Sequence, residues 1–259
     1  MGKPNPYYRN DEEKAALIAM RDAFSFELPV PSNLVIGIAG PPGNGKTHLL
    51  CTLAGEEYGP LYLLDSEIRA HLVTKKFTAP IKTAPIRSYK ELVAGMKWIL
   101  KNVKPPGIIA VDSGSDLQTF AEEEYLERVG REKVGLQWNW PEVWALVNAI
   151  VDEVKFSGFT FAFTTRVKDE YSGEKATGNI VPRIYSGLPY KCDLFLQFDK
   201  TRTPTVVKNG FHERIDYLLT RQMSLPEIIK TVQDQNAPAA PPPEPKPAPP
   251  AKAKAGAKK

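Results

Sequence analysis

Cysteine is nearly missing from this chain. Only Cys51 and Cys192 occur in 259 residues, which excludes a small secreted scaffold stapled by disulfides. Both are expected to be buried, reduced thiols. Histidine is equally scarce: His48, His71 and His212 share no metal-ligand spacing with each other or with the cysteines, so no zinc site is expected. No apolar run approaches the roughly 20 residues of a membrane span. Met1 to Lys14 is polar and lacks the apolar core of a signal peptide, so a cytoplasmic protein without membrane contact is expected. Net charge is missing too, once the end of the chain is set aside. From Asn236 to Lys259, five lysines against Glu244 carry +4, the whole of the formal +4 of the protein. Any basic surface on the folded body must therefore be local, or be supplied by the tail.

What is present is organised around Gly40-Pro41-Pro42-Gly43-Asn44-Gly45-Lys46-Thr47, which reads G-x-x-x-x-G-K-T, the Walker A phosphate-binding loop. Leu34 to Ala39 before it is a short apolar run suited to a buried parallel strand, and Leu49, Leu50 and Leu53 after it recur at helical spacing. The glycines let the main chain approach a polyphosphate, whose oxygens the backbone N–H groups then face. Lys46 can reach the β- and γ-phosphates, Thr47 can ligate Mg²⁺, and residues Gly40 to His48 form the expected ATP contact. Ile108 to Ser113 is a buried strand ending in Asp112, a Walker B pattern whose carboxylate can hold the hydration shell of the same Mg²⁺.

Other segments frame these two. Residues 1–30 are expected to form an arm and an amphipathic helix, capped at Asn10 with Leu17, Met20 and Phe24 on one face. Residues 31–235 are expected to form one α/β domain, a mostly parallel sheet flanked by helices. Further buried strands are expected at Leu61–Leu64, Phe159–Thr164 and Cys192–Phe198, with a short one near Ile81–Ile86. Ser88-Tyr89-Lys90-Glu91 opens a helix as a capping box, and Ser224-Leu225-Pro226-Glu227 opens a last short helix. Trp138, Trp140 and Trp144 are expected to be core and helix-entry packing rather than a stacking platform. Residues 167–191 show little periodicity and are expected to be a long functional loop. Thr203–Val207 and Arg214–Leu219 are expected to pair as a C-terminal hairpin around Asn209-Gly210. Residues 236–259, with eight prolines, are expected to be a disordered tail, a tether for a protein partner or a weak attraction for nucleic acid.

Walker A, a strand ending Asp65-Ser66-Glu67, and Ile108-Ile109-Ala110-Val111-Asp112-Ser113 together resemble the RecA/RadA-like ATPase core. The resemblance runs from about Leu34 to Val232, and is greatest to the compact RecA-fold ATPases of bacteriophages that act in single-strand annealing and recombination. It implies an oligomeric ATPase, ring or filament, that binds single-stranded DNA in the host cytoplasm. It implies that Glu67 positions and deprotonates the attacking water. Thr165-Arg166 stands where the family has an Asn-Gln pair that senses the γ-phosphate, a departure from the family's usual coupling between nucleotide state and DNA loop, and Arg166 is a catalytic candidate with Lys46, Glu67 and Asp112. The resemblance also places DNA contacts in the 167–191 segment, where Lys168, Tyr171, Lys175, Arg183 and Tyr185 offer charge and aromatic faces. Lys200 and Arg202 stand where the family supplies cations to a neighbouring subunit's nucleotide.

Two other classes compete: a nucleotide-gated regulator such as a helicase loader, and a small-molecule kinase. No arginine-rich lid supports the kinase. A GTPase is disfavoured because the chain has no N-K-x-D, and Asp112 does not begin a D-x-x-G.

Overall fold

Five apolar residues form β1 (Val35–Ala39), and all five are buried. Strands covered on both faces read as unbroken apolar runs, and β2 (Leu61–Asp65), β4 (Ile108–Asp112) and β5 (Thr160–Thr165) share that pattern. The computed structural model describes residues 33–131, 140–173, 175–199 and 201–241; the expected N-terminal arm and helix, Trp138, Lys200 and the tail beyond residue 241 lie outside them. With β3 (Ile81–Pro85), β8 (Leu194–Phe198) and β9 (Pro204–Asn209), these strands make a seven-stranded sheet in the order β3-β2-β4-β5-β1-β8-β9. Every pairing is parallel except β8 with β9. The expected α/β architecture is therefore the one observed. Parallel pairing brings the carboxyl ends of β1, β2, β4, β5 and β8 to one edge, with Asp65 opposite Asp112 in register.

Successive residues of a strand face opposite sides, and two core layers follow. Val35, Val111 and Phe163 face one layer with Leu92 and Met96 of α3 (Tyr89–Asn102), Leu117 of α4 (Gly114–Val129) and Val147 and Val151 of α5 (Trp140–Phe156). Ile36, Ile38 and Ala110 face the other, with Leu50 of α1 (Lys46–Cys51) and Ile228 and Val232 of α7 (Leu225–Gln233). A six-residue helix such as α1 is far too short to stand alone. Burial of Leu49 and Leu50, at about 1.5–3 kcal/mol each, holds it. At Ser224 the capping box is complete: its Oγ accepts from Glu227 N, and the glutamate accepts from Ser224 N at 2.7 Å. At Ser88 only half forms, because Glu91 Oε2 accepts from Arg87 N instead, at 2.7 Å. A four-residue helix, α2 (His71–Thr74), follows β2.

Three expectations need correction. Residues 167–191 are not a loop. They form an antiparallel hairpin, β6 (Val167–Ser172) and β7 (Lys175–Pro182), followed by α6 (Leu188–Lys191). Both faces of the hairpin are largely exposed, so no apolar alternation marks it in the sequence. The C-terminal hairpin forms between β8 and β9, and not between 203–207 and 214–219. The apolar edge of β8 takes the strand, Asp199 N donates to Thr203 O at 3.0 Å to close the turn, and Gly210 N donates to Asp193 O at 2.7 Å at the open end. Finally, the chain stays packed beyond residue 235. Ala237 is buried, Tyr217 bridges Ala239, and Ala240 N donates to Asp216 O at 2.8 Å. Backbone pairing and one small side chain suffice where no large apolar residue exists.

Candidate active site

Residues 40–45 join the end of β1 to α1, whose first residues are Lys46 and Thr47. Gly45 has φ +88°, a left-handed torsion that L side chains rarely adopt. A side chain at Gly40 would put its Cβ 2.9 Å from Phe198 Cβ. Neighbouring strands hold the loop: Gly40 N donates to Thr165 O at 3.2 Å, and Asn44 Nδ2 donates to Asp199 O at 2.9 Å. Lys46 Nζ curls back to donate to Gly40 O (2.9 Å) and Pro41 O (3.0 Å). Burial holds its pKa below the usual lysine value, against the opposing pull of Asp112 and Glu67. Pro42 and Gly43 are exposed at the crest, and the His48 ring lies 4.9 Å from that of Phe77.

Asp112 meets this loop from β4. Its Oδ2 accepts from Thr47 Oγ1 at 2.6 Å, and its Oδ1 accepts from Thr164 Oγ1 at the end of β5. Burial raises the carboxyl's pKa, and the two hydroxyls work against that shift. A hydroxyl and a carboxylate in contact beside a phosphate loop are two hard oxygen donors, and they suit Mg²⁺, which prefers few protein ligands and keeps several waters. Thr47 and Asp112 would hold it there.

Glu67 and Arg166 complete the edge. Asp65 accepts from the backbone N–H groups of Glu67 (3.1 Å), Ile68 (2.9 Å) and Ala70 (2.8 Å). That fixes the turn which presents Glu67 beyond β2. Glu67 Oε1 accepts from Arg166 Nη2 at 2.8 Å and Nε at 3.2 Å, and the same Nη2 reaches Asp116 Oδ2 at 3.3 Å. The Glu67 hydrogen bond, with Asp116 nearby, raises the arginine's pKa further. Ser66 Oγ donates to Asp116 Oδ2 at 2.7 Å. One carboxyl edge thus carries a lysine, a hydroxyl–carboxylate pair and a glutamate clamped by an arginine.

Two solved structures resemble this chain in fold. One is an ATPase described as prototypical of the type III secretion system of pathogenic bacteria: 12% identity, TM-score 0.49, over 66% of this chain and 53% of that one. The chain thus spans about half the length of that ATPase. The other is the RadB recombinase, at 14% identity and TM-score 0.43, over 71% of this chain and 84% of the recombinase. No protein-family model matches the chain, and no curated protein matches it in sequence.

The remaining candidate residues divide. Lys168, Tyr171, Lys175 and Arg183 lie exposed on or just after the β6–β7 hairpin. Tyr185 does not join them. It is buried, stacked on Trp144 at 5.3 Å between ring centroids, with its hydroxyl donating to Asn148 Oδ1. Its spacing from Lys168 and Arg183 suggested a shared surface, but α6 turns it inward. Trp144, expected in the core, is only half-buried. Arg202 is exposed in a turn with φ +66°. It lines a cavity of about 410 Å³ with Asn44, Gly45, His48 and Arg221, so the phosphate loop beside it is its own chain's. Lys200 lies outside the described residues. Thr164, Asp116 and Ser66 belong to the site without having been expected there. Their only signal was position: each lies at, or just past, the carboxyl end of a buried strand.

Proposed function

We propose that this chain is a Mg²⁺-dependent, RecA-like ATPase that acts on single-stranded DNA as a homo-oligomer, in annealing or recombination of the kind bacteriophages carry out. The observation that carries the ATPase reading is the convergence of Lys46, Thr47, Glu67 and Asp112 on one edge, from three separate stretches of sequence. Backbone N–H groups of residues 40–47 receive the phosphates, and Lys46 exchanges its two carbonyl partners for β- and γ-oxygens. Mg²⁺ at Thr47 and Asp112 would neutralise charge on those oxygens.

In this structure the carboxylate of Glu67 is engaged by Arg166. A γ-phosphate offers the guanidinium a competing bidentate partner. Arg166 turning onto it stabilises the leaving charge and frees Glu67. Glu67 then takes a proton from the attacking water as the water oxygen bonds to the γ-phosphorus and the bridging oxygen departs with ADP. Arg166 O also accepts from Arg183 N at 2.7 Å, across the root of the β6–β7 hairpin. The same turn of Arg166 therefore couples nucleotide state to the segment that carries Lys168, Lys175 and Arg183.

The test is steady-state ATP hydrolysis with and without single-stranded DNA. Stimulation by DNA supports the full reading. Hydrolysis indifferent to DNA in a protein that also fails to bind it would favour the nucleotide-gated regulator.

A further inference from the structure

Away from the phosphate loop, a cavity of about 1100 Å³ opens between α5, the end of β7, α6 and β9. Three observations define its chemistry. Trp140 and Trp144, one turn apart on α5, stack at 6.4 Å with 28° between planes, and Trp144 stacks in turn on Tyr185 at 16°. Trp144 Nε1 is buried with no acceptor among the described residues. An indole nitrogen is only a donor, so this group lacks a partner that a ligand could supply. The charged groups among the described lining residues are Lys168 and Lys208, with no carboxylate. Lys208 is pinned by the carbonyls of Tyr190 and Cys192. Tyr190, at the rim, is 78% exposed.

We propose that this cavity binds one unstacked base of single-stranded nucleic acid. The base lies against the exposed ring of Tyr190 and beside the half-buried Trp140, and Trp144 Nε1–H donates to a ring nitrogen or carbonyl oxygen of the base. Lys168 and Lys208 face the flanking phosphates. An apolar peptide side chain would leave the indole N–H unpaired and the lysines without counter-charge. The proline-rich segment beyond residue 241 has carbonyls to offer, but it is itself cationic and meets a cationic wall. A base joined to phosphate answers all three features. Because Lys168 is on β6, two residues beyond Arg166, the base site sits on the hairpin that Arg166 roots. The inference rests on the single-stranded DNA reading above and gives it a pocket.

The experiment measures binding of fluorescein-labelled oligodeoxythymidylate to the full chain by anisotropy, at one fixed salt concentration. An oligomer of the same length with abasic sites is the comparison. Tyr190→Ala changes an exposed side chain and should weaken binding about 5- to 100-fold. Trp144→Phe keeps a ring in the stack, removes the N–H and should weaken binding about 10-fold. The abasic oligomer should bind wild-type protein less tightly than the intact one, and should be insensitive to both substitutions. If wild-type protein binds DNA but neither variant differs from it, or the abasic oligomer binds equally well, the base site is elsewhere and this inference fails alone. If wild-type protein binds no single-stranded DNA, the inference falls with the reading beneath it. If DNA binding ignores both variants while removal of residues 242–259 shifts tryptophan emission in a Tyr190-dependent way, the tail is the occupant and the inference is overturned.

Discussion

Residue by residue, the proposed function separates binding from chemistry. On that reading Lys46 touches phosphate in ground and transition states alike, so Lys46→Ala should lose ATP affinity and turnover together. Glu67 bonds Arg166 and on the proposed function touches only the attacking water, so Glu67→Gln should keep ATP affinity and lose turnover by roughly 10²- to 10⁴-fold. Hydrolysis rates measured beside equilibrium binding of a fluorescent ATP analogue distinguish the two, and near-normal turnover in Glu67→Gln would remove it from the mechanism. Asp112→Asn should show its defect chiefly as a raised Mg²⁺ requirement, read from a Mg²⁺ titration of the same assay. Walker A and Asp112 were legible because their residue types stand in one short run each. The pair of Glu67 and Arg166 was not, because 99 positions separate them and only the parallel sheet brings β2 and β5 to one edge. Tyr185 was misread for the complementary reason: an aromatic residue among lysines looks the same in sequence whether it faces solvent or Trp144.

Among the elements, buried strands were the most legible and exposed ones the least. β1, β2, β4 and β5 are buried along their whole length, with apolar runs broken only by threonines in β5 and by a carboxylate at the ends of β2 and β4, and could be read directly. β6 and β7 are held by cross-strand hydrogen bonds rather than by a buried face, and hydrophobic patterning cannot report such pairing. If that hairpin carries DNA, replacing Lys168, Lys175 and Arg183 together by alanine should weaken oligonucleotide binding and flatten its salt dependence by up to about three charges. An unchanged salt slope would place DNA elsewhere. The α7 cap makes a separate prediction. Ser224→Ala removes a full capping box and should cost about 1 kcal/mol of stability, measured by urea unfolding. Leu225 N donates to Thr52 Oγ1 at 2.8 Å, just past the end of α1, so loosening α7 should also raise the concentration of ATP needed for half-saturation.

At the scale of the whole molecule, the folded body ends later than composition suggests. A chain stopped after Pro241 should melt like the full protein and keep its basal ATPase. A chain stopped after Gln235 should still fold but lose about 1–3 kcal/mol, because it forfeits the hydrogen bonds made by residues 238 and 240 and the burial of Ala237. Equal melting temperatures for the two truncations would show that this last segment adds nothing. Composition placed the boundary early because backbone pairing at Tyr217 and Ala239 has no signature in side-chain type. The shape of the sheet was easier to anticipate than its edges: alternating buried strands and amphipathic helices dictate parallel layers, whereas which strand takes an edge depends on what is left to pair.

The central place of β1 has a consequence for how the protein comes off the ribosome. Its two neighbours are β5 and β8, so Val35 to Ala39 must wait for residues 161–165 to pair one side and for residues 194–197 to pair the other. The phosphate loop is translated early, yet its last strut, Asp199, follows about 150 residues later, roughly 8–30 s at ordinary elongation rates. For most of that interval an apolar strand stands with both edges open, and until β8 follows one edge is still open, the kind of segment that invites wrong pairing. ATP therefore cannot template the early chain. On the proposed function it is the ligand of a finished sheet, and it should accelerate neither emergence nor collapse, while making the completed protein harder to unfold as a unit.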